Sequence, residues 1–369
     1  MMLKDQARVG IIGTGWWSTT AHIPSLKDNP DAQLVAMADA RPEALERACS
    51  VYGRCNTYTD YRDMLAKEQL DGVIVAVNHS AHYEVTKGAL EAGVHVLLEK
   101  PMVLKAAHAH DLMNLAQQRG VELMIGYPWL LKETARWGKE IMQSGELGAI
   151  QYVSCLFSSM VIEFLRGNDE SYRKIFGYPV TGPGQAYSDP ALSGGGQGHL
   201  QITHSAASMF YLSDLQADKV TCFMENFGLA VDVADAIALR FKPVERYAAV
   251  GVVGSTGNLG PGDGGHLEIQ IYCENGRLTV DHSQGAGYMR TMDGVEKRFG
   301  PLPPERRYPQ NDTSKHLTDV ILGKATNQLP AIYGVRTVEM LDAAYTSNAR
   351  GGAPVSVDDL IRQPVESGE

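Results

Sequence analysis

A glycine turn is the first stretch whose residue types and spacing indicate binding chemistry. Gly13 and Gly15 follow a short apolar run, Arg8–Ile12, and Ser18 lies three positions further on. Gly13 allows a tight turn, Gly15 lets the backbone approach a pyrophosphate, and Ser18 is small enough for close helix–strand packing. The N-terminus of a following helix favours negative charge. The turn therefore predicts a site for the phosphates of a dinucleotide.

An acid after the next apolar run adds to this prediction. Asp39 lies 24 positions beyond Gly15 (39 − 15), close to the ~20 expected for an acid that binds the adenosine ribose. The alternative is that Asp39 only starts a turn before Arg41 and Pro42. Because a carboxylate repels a 2′-phosphate, NAD is the predicted cofactor, and Arg41 leaves NADP open as an alternative.

The tripeptide Glu99-Lys100-Pro101 directly follows a later apolar run. Oxidation of a secondary alcohol needs a base for the hydroxyl proton, and a lysine that is desolvated in a cleft has a lowered pKa. In an open α/β sheet, ligands bind at the carboxyl ends of the strands. Lys100 is therefore predicted to be a general acid/base, and the alternative is a surface lysine paired with Glu99.

The N-terminal third of the chain alternates short apolar runs with helical patterns. Single helices between strands imply parallel pairing with right-handed crossovers. We therefore predict an α/β Rossmann domain with a doubly wound parallel sheet. Its predicted strands are Arg8–Ile12, Leu34–Ala38, Gly72–Val77, His95–Leu98 and Val121–Ile125, and its helices are Pro42–Tyr52, Tyr61–Ala66, His82–Ala92 and Lys105–Arg119.

From residue 151 the pattern changes to successive β-branched and aromatic segments joined by Gly-rich or charged turns, which favour an antiparallel sheet. We predict an NAD(P)-binding domain over residues 1–128 and, over residues 129–369, an α+β domain for substrate binding and oligomerisation with a large, mostly antiparallel open sheet. The long segment 158–198 is expected to be functional or mobile. Predicted strands are Gln151–Phe157, Val220–Phe227, Ala234–Phe241, Ala248–Val253, His266–Cys273 and Gly276–Asp281, and the helices Thr313–Leu322 and Gly334–Asn348 are expected to end the chain, with the option of packing back on the first domain.

Composition excludes several classes of function. The chain has 33 basic and 43 acidic side chains, a formal net charge of −10, which argues against nucleic acid as a partner. No stretch has the layout of a signal peptide or the length of a membrane span. The five cysteines are scattered and odd in number, which argues against a disulfide framework or a zinc site and favours the cytoplasm.

Several of these motifs together resemble the Gfo/Idh/MocA family, named for glucose–fructose oxidoreductase and inositol dehydrogenase. The resemblance runs from GIIGTG through GALEAGVHVLLEKP to GVRTVEMLDAAYTS, nearly the whole chain. It implies that Lys100 lies beside the nicotinamide and the substrate, with Glu99 at the cofactor, and that Pro101 follows a cis peptide bond. It also implies that Asn78, His79 and His82 lie at the nicotinamide half or cap the next helix.

A second family motif, G-G-G-x-x-x-D-x-G-x-H, is only partly matched. It begins at Gly194, and its final histidine is His204. The resemblance implies that His204 positions the substrate or relays its proton. The aspartate position holds Leu200 and the internal glycine is Ile202, so the role of holding the reacting hydroxyl is vacant or has moved. Gln201 and His199 are the candidates for that role.

Other residues carry weaker signals. One of Trp16 and Trp17 would stack on the nicotinamide or a sugar while the other packs in the core. Tyr127 and Arg173 are predicted substrate contacts, because aromatic and guanidinium groups suit a polyol. The alternative is that these two are solvated loop residues. His22, just past the glycine turn, is expected either to face the cofactor or, equally, to be a structural histidine. The same reasoning applies to three further residues in the same loops, Arg166, Tyr178 and Tyr187.

The resemblance implies hydride transfer between NAD(H) and a secondary alcohol of a sugar, glycoside or cyclitol. The altered aspartate position favours a glycoside or anhydro-sugar oxidised at a ring hydroxyl. Two alternatives remain at this point: a glycoside hydrolase that retains NAD and acts by transient oxidation and elimination, and a non-catalytic sensor that binds dinucleotide. Family members commonly associate through the second sheet, so a homodimer or homotetramer is expected.

Overall fold

The computed structural model describes residues 5–244, 246–260, 262–308 and 311–365. Its first sheet has six parallel strands in the order β3-β2-β1-β4-β5-β6. This order confirms the doubly wound α/β prediction. The strands are β1 (Ala7–Ile12), β2 (Ala32–Ala38), β3 (Asn56–Tyr58), β4 (Gly72–Val75), β5 (His95–Leu98) and β6 (Leu123–Ile125).

Five helices connect these strands. Their apolar faces pack against a sheet whose central strands are wholly buried, such as β4 with all four residues inaccessible. The first helix is preceded by a five-residue π-helical turn, Ser18–His22, which carries the chain from the glycine turn into Pro24 at the helix start. The helices are α1 (Ile23–Asp28), α2 (Pro42–Tyr52), α3 (Tyr61–Lys67), α4 (His82–Glu91) and α5 (Ala106–Arg119).

The second sheet has nine strands in the order β14-β13-β12-β11-β7-β10-β9-β8-β15. Only the β7–β10 pair is parallel, so the prediction of a mostly antiparallel sheet is confirmed. Burial alternates residue by residue along β9, as expected where one face packs on a core. The strands are β7 (Ile150–Ser158), β8 (Ala217–Glu225), β9 (Ala234–Phe241), β10 (Val250–Thr256), β11 (His266–Cys273), β12 (Gly276–Asp281), β13 (Ala286–Thr291), β14 (Glu296–Phe299) and β15 (Val355–Ser356).

Helices cover one face of this sheet and also reach the first one. Leu317, Val335 and Val338 belong to the core of the first sheet, so the terminal helices pack across both layers. The segment 158–198 contains three one-turn α-helices and one 3-10 turn, Asp169–Tyr172. The helices are α6 (Glu133–Gln143), α7 (Ile162–Leu165), α8 (Arg173–Phe176), α9 (Pro190–Ser193), α10 (Thr203–Ser213), α11 (Asp312–Ile321), α12 (Ala331–Ala349) and α13 (Val357–Ile361).

The first sheet ends at Ile125 and the second begins at Ile150. The predicted domain boundary at residues 128 and 129 falls in the connection between them and stays a prediction. Within the ranges that the structure describes, no helix combines the length and apolarity needed to cross a membrane.

Candidate active site

One cleft of about 1420 Å³ runs from the glycine turn at one end to Lys100 and His204 at the other. It lies at the carboxyl ends of the parallel strands, where α/β sheets bind ligands. A single ligand pocket usually measures a few hundred to about 1,000 Å³. The cleft is therefore large enough for a dinucleotide together with a second small molecule.

The glycine turn has the geometry that a dinucleotide requires. Gly13 has φ +93°, and a Cβ there would lie 2.3 Å from the carbonyl oxygen of Ala76, so no other residue fits without a shift. A Cβ on Gly15 would meet nothing within 4 Å. Gly15 therefore faces open space in the cleft, which suits a pyrophosphate. Ser18 is buried and its hydroxyl donates to the Gly13 carbonyl at 2.6 Å, as its close-packing role predicts.

Asp39 lies beside this turn at the end of β2. Its Oδ2 accepts hydrogen bonds from the backbone N–H and hydroxyl of Thr14 at 2.9 and 3.0 Å. Arg41 donates to both carboxylate oxygens at 3.0 to 3.1 Å. Burial acts to raise the pKa of Asp39, but the hydrogen bonds from Arg41 and Thr14 outweigh it and lower the pKa. The carboxylate is thus ionised and fixed at the predicted ribose position.

The adenosine end of the cleft is rich in arginine. Arg41, Arg47 and Arg62 all line it, and the side chains of Arg41 and Arg62 are 58% and 68% exposed. The ionised Asp39 carboxylate fits the ribose of NAD, and the three guanidinium groups line the same end of the cleft.

The predicted nicotinamide contacts all line the cleft, but two of the three also bond to the backbone. The Nδ1–H of His79 donates to the Ser193 carbonyl at 3.0 Å. The ring nitrogens of His82 lie 2.7 Å from the Pro101 carbonyl and 3.2 Å from that of Val77. Burial lowers the pKa of both histidines, so both are neutral. His82 therefore fixes the backbone around Lys100.

Lys100 brings an amine into the cleft, at the end opposite the glycine turn. The Lys100–Pro101 peptide bond is cis, as the family resemblance implied. The Nζ of Lys100 donates to the carbonyl of Leu200 at 2.9 Å. Burial lowers the pKa of Lys100 to about 8, although the nearby Glu99 carboxylate acts to raise it. A substantial fraction of the amine is therefore unprotonated near neutral pH, as a general base requires.

Glu99 and His22 form a buried pair behind Lys100. The Nε2 of His22 lies 3.0 Å from Glu99 Oε1, and its Nδ1 lies 2.7 Å from the hydroxyl of Ser314. The other Glu99 oxygen accepts the backbone N–H of Lys100 at 3.1 Å. Both ring nitrogens of His22 are thus used, and the structure favours the structural interpretation of this residue. Glu99 itself lines the cleft.

The glycine run that begins the second motif is packed against two buried side chains. A Cβ on Gly195 would lie 2.3 Å from the Tyr345 hydroxyl, and one on Gly196 would lie 2.1 Å from the Asp232 carbonyl. The Asp232 carboxylate accepts the backbone N–H groups of Gly196 and Gly198 at 2.7 and 2.8 Å, and the Tyr345 hydroxyl at 2.9 Å. Asp232 therefore fixes this loop. Sequence reasoning missed Asp232, because it lies 28 positions after His204 (232 − 204), beyond β8, and has no motif of its own.

Leu200 shows what replaced the family aspartate. Its side chain is buried in an apolar cluster that includes Phe164 and Val233. Only its backbone carbonyl reaches Lys100. The amine is thus held by a neutral acceptor where the family motif has a carboxylate, which removes one influence that would raise its pKa. The other departure, Ile202, is fully buried in the core of the second sheet.

His204 and Gln201 both line the cleft near Lys100. A π-helical turn, Gly198–Ile202, leads into α10, on which His204 stands. The Nδ1 atom of His204 is buried without a hydrogen-bond partner. Burial and the positive charge of Lys100 lower its pKa well below the usual value. His204 is therefore a neutral imidazole that is ready to exchange a hydrogen bond with a ligand.

An aromatic cluster closes the cleft over the glycine turn. The Trp16 ring lies 5.1 Å from that of Phe164 and 6.2 Å from that of Tyr187. Tyr187 also lies under the Lys100 ammonium, 5.9 Å from Nζ to the ring centre. Segment 158–198 is therefore tied to the glycine turn by packing. Trp16 and Trp17 both line the cleft.

Two predicted substrate contacts lie elsewhere. Arg173 is on the surface, where its guanidinium pairs with Glu170 at 2.6 to 2.7 Å, and it is outside the cleft lining. Tyr127 is 2% exposed, and its hydroxyl bonds that of Thr203 at 3.0 Å. It supports the start of α10 from behind. Of the alternatives weighed in the same loops, Arg166 and Tyr178 also lie outside the lining, whereas Tyr187 is part of it.

The cleft residues that escaped the sequence analysis include Trp129, His282 and Tyr308. The Trp129 ring lies 5.1 Å from that of His204, 5.2 Å from that of Tyr308 and 6.2 Å from that of His282. They come from three loops that only the tertiary fold brings together, and none belongs to a spaced motif. The available signal was a histidine directly after a predicted strand, at His282.

Comparison with known proteins agrees with this geometry. The Gfo/Idh/MocA model, an oxidoreductase family with an NAD-binding Rossmann fold, matches residues 7–127. A dTDP-3,4-didehydro-2,6-dideoxy-alpha-D-glucose 3-reductase of Saccharopolyspora spinosa is 27% identical over 175 residues, covering 47% of this chain and 52% of the reductase. The D-glucoside 3-dehydrogenase of Escherichia coli K12 is 30% identical over 149 residues, covering 40% of this chain and 42% of the dehydrogenase.

The chain thus spans about half or less of the length of these curated relatives. A levoglucosan dehydrogenase solved with NADH and levoglucosan superposes over 95% of this chain and 99% of its own, with a TM-score of 0.75 and 17% identity. At that identity the likeness concerns the fold alone. The motifs, the parallel sheet and the family match agree on one part of the chain: residues 7–127 match the NAD-binding Rossmann fold of the Gfo/Idh/MocA oxidoreductase family.

Proposed function

We propose that this protein transfers a hydride between NAD(H) and a secondary alcohol of a sugar, glycoside or cyclitol. The observation that carries the proposal is the buried Lys100 amine, whose pKa is lowered to about 8. It lies in the same cleft as the glycine turn and Asp39. Lys100 is thus placed to exchange a proton with a substrate hydroxyl, while the rest of the cleft has room for the dinucleotide.

NAD, when bound, supplies the hydride acceptor or donor, and the glycine turn, Asp39 and Asn78 would hold it. In the oxidation direction, neutral Lys100 takes the hydroxyl proton of the substrate as the carbon loses hydride. In reduction, protonated Lys100 returns that proton to the forming alkoxide. Because the Leu200 carbonyl accepts one N–H of Lys100, the amine is held in place in both directions.

His204 and Gln201 are proposed to position the substrate. His204 is neutral and has a buried nitrogen without a partner, so a sugar hydroxyl would satisfy it. Gln201 has both donor and acceptor atoms for a neighbouring hydroxyl. A ring hydroxyl of a glycoside or anhydro-sugar fits this polar pair beside the Trp129 ring, since aromatic faces stack on sugars.

The curated relatives support a sugar substrate. One is a D-glucoside 3-dehydrogenase and another reduces a dTDP-linked keto sugar at position 3. NAD is favoured over NADP because Asp39 is ionised at the ribose position and a 2′-phosphate would be repelled. Neither a glycoside hydrolase nor a non-catalytic sensor has a specific observation in its favour.

The test is absorbance at 340 nm with NAD or NADP and a panel of sugars, glycosides and inositols. Lys100→Met is run in parallel, with Lys105→Met as the matched control, since Lys105 is a mainly exposed lysine paired with Asp342. We expect turnover with one substrate class, a loss of about 100-fold or more in Lys100→Met, and no comparable loss in the control. Bound dinucleotide without net reduction on any member of the panel would contradict the proposal.

A further inference from the structure

The far end of the cleft contains a buried histidine that the proposed chemistry does not use. His282 follows β12 directly and is 2% exposed. Neither of its ring nitrogens has a hydrogen-bond partner in the described structure. Buried polar groups without partners are rare in folded proteins, because leaving a buried donor or acceptor unpaired destabilises the folded state. Such a side chain in the lining of a ligand cleft calls for a polar partner from the ligand.

His282 belongs to a small group of side chains around one indole ring. Trp129 lies between His204 and His282, with ring-centre distances of 5.1 and 6.2 Å. Tyr308 closes the third side at 5.2 Å. An indole flanked by two neutral imidazoles offers an apolar face together with hydrogen-bonding edges. A pyranose ring has the matching surfaces, since its C–H face is apolar and its hydroxyls lie at the rim.

Both histidines are uncharged over the neutral range. Burial lowers the pKa of His282 to about 4, and burial together with Lys100 lowers that of His204. A neutral imidazole both donates and accepts, as a hydroxyl does. An anionic group needs cationic donors instead.

Charge at this end of the cleft is sparse. Among the described residues that line it, Lys100 is assigned to proton transfer and Glu99 is paired with His22. Arg307 is the other charged residue there; its Nε donates to the Leu302 carbonyl at 2.8 Å, so its two terminal nitrogens are the guanidinium donors at this end. The cluster of arginines lies at the opposite end, beside Asp39. A diphosphate at the substrate end would therefore have few partners.

We infer that His282, His204 and Trp129 form a subsite that binds the hydroxyls of an uncharged sugar ring, and that the substrate is a neutral sugar or glycoside and not a nucleotide sugar. The inference rests on the proposed sugar oxidoreductase function and narrows it. His282 is a specificity-determining contact in this account. It takes no part in proton transfer.

The test is a calorimetric titration of the protein–NADH complex with a sugar whose hydroxyls are still reduced. No hydride can be transferred in this dead-end complex, because both the cofactor and the sugar are in their reduced forms. The probes are methyl β-D-glucopyranoside and dTDP-glucose. We expect His282→Phe, which keeps a ring and loses both nitrogens, to raise the Kd for the methyl glucoside by about tenfold. His282→Asn, which can still donate and accept, is expected to recover part of that loss. The matched control is His108→Phe, since His108 stacks on Tyr83 outside the cleft, and its Kd should be unchanged.

The outcomes separate the inference from the function on which it rests. Unchanged sugar affinity in His282→Phe, with wild-type turnover of sugars intact, would overturn the subsite alone. Tighter binding of dTDP-glucose than of the methyl glucoside would overturn the assignment to neutral substrates. Wild-type protein that binds NADH, measured by quenching of its tryptophan fluorescence, but binds neither probe and turns over no sugar would contradict both. NADH affinity equal in all variants shows that the substitutions leave the fold intact.

Discussion

At the scale of single residues, we expect Lys100 to determine the pH dependence of the proposed reaction. Its pKa is lowered to about 8 by burial, and oxidation requires the neutral amine. We therefore predict that kcat/KM for alcohol oxidation rises by about tenfold per pH unit below pH 8 and levels off above it. Ketone reduction needs the protonated amine and should fall above pH 8. Initial rates in both directions between pH 6 and 10 measure this, and the same slope in both directions would contradict the role of Lys100.

Asp39 determines which dinucleotide binds. Its ionised carboxylate would repel a 2′-phosphate, while Arg41, Arg47 and Arg62 lie around it. We predict that Asp39→Ala weakens NAD binding by about tenfold, because it removes the acceptor for the ribose hydroxyls. NADP binding should improve, since the three guanidinium groups remain. Fluorescence titration with both cofactors measures the two constants, and a variant that still favours NAD by the wild-type ratio would show that Asp39 does not select the cofactor.

At the scale of elements, the two glycines of the glycine turn are expected to have different roles, one in the stability of the fold and the other in cofactor binding. A Cβ at Gly15 meets nothing within 4 Å, whereas at Gly13 it would lie 2.3 Å from a backbone carbonyl. We predict that Gly15→Ala leaves the melting temperature within a few degrees of wild type but weakens NAD binding by about tenfold or more. Gly13→Ala should lower the stability itself by roughly 1 to 3 kcal/mol. Equal loss of stability in both variants would contradict the open space assigned above Gly15.

The loop that carries the second motif depends on a buried acid pair. Burial and the neighbouring Asp232 carboxylate raise the pKa of Asp235 well above its usual value. Because the folded-state pKa of Asp235 lies above its unfolded-state value, its protonated carboxyl contributes fully to the stability of the fold only below about pH 4. That contribution is lost as the pH rises toward the folded-state pKa. Asp235→Asn removes that loss. We predict that the variant gains stability over wild type more at pH 7.5 than at pH 4.5, measured by thermal unfolding, and a gain independent of pH would contradict it.

Local patterns predicted much of the fold and only part of the site. β9, β11 and β12 were predicted residue for residue, because their β-branched residues alternate between turns. Edge strand β14 was missed, since its residues Glu-Lys-Arg-Phe are mostly charged. Helices α6 and α10 were also missed as elements. The glycine turn, Asp39, Lys100 and His204 lie in one cleft as expected.

The rest of the site depends on contacts that are distant in sequence. Trp129 and His282 are 153 positions apart (282 − 129), and they meet because the 3-10 turn after β6 and the end of β12 face the same cleft. Arg173 was chosen for its residue type in a long loop, yet three residues before it Glu170 provides a local partner on the surface. Residue type alone cannot distinguish a ligand contact from such a local ion pair.

At the scale of the whole molecule, the outer face of the second sheet is exposed and apolar. Val250 and Val252 on β10 and Leu156 on β7 are 48%, 39% and 46% exposed, and Phe223 on β8 lies on the same face at 62%. Patches of this kind mark association surfaces. We predict a homodimer or homotetramer built on this face. Light scattering should give at least twice the 40.2 kDa mass of one chain, and Val252→Glu should reduce it to the monomer; a monomeric wild type would contradict the prediction.

The most direct test of hydride transfer to the nicotinamide uses p-nitrophenyl β-D-glucopyranoside with saturating NAD. NADH is followed at 340 nm, and released p-nitrophenol is followed at 405 nm in the same sample. The account predicts NADH in amounts equal to the oxidised glycoside, with no release of p-nitrophenol, and the loss of NADH formation in Lys100→Met. Release of p-nitrophenol without net NADH would contradict the account and identify a hydrolase that retains its cofactor.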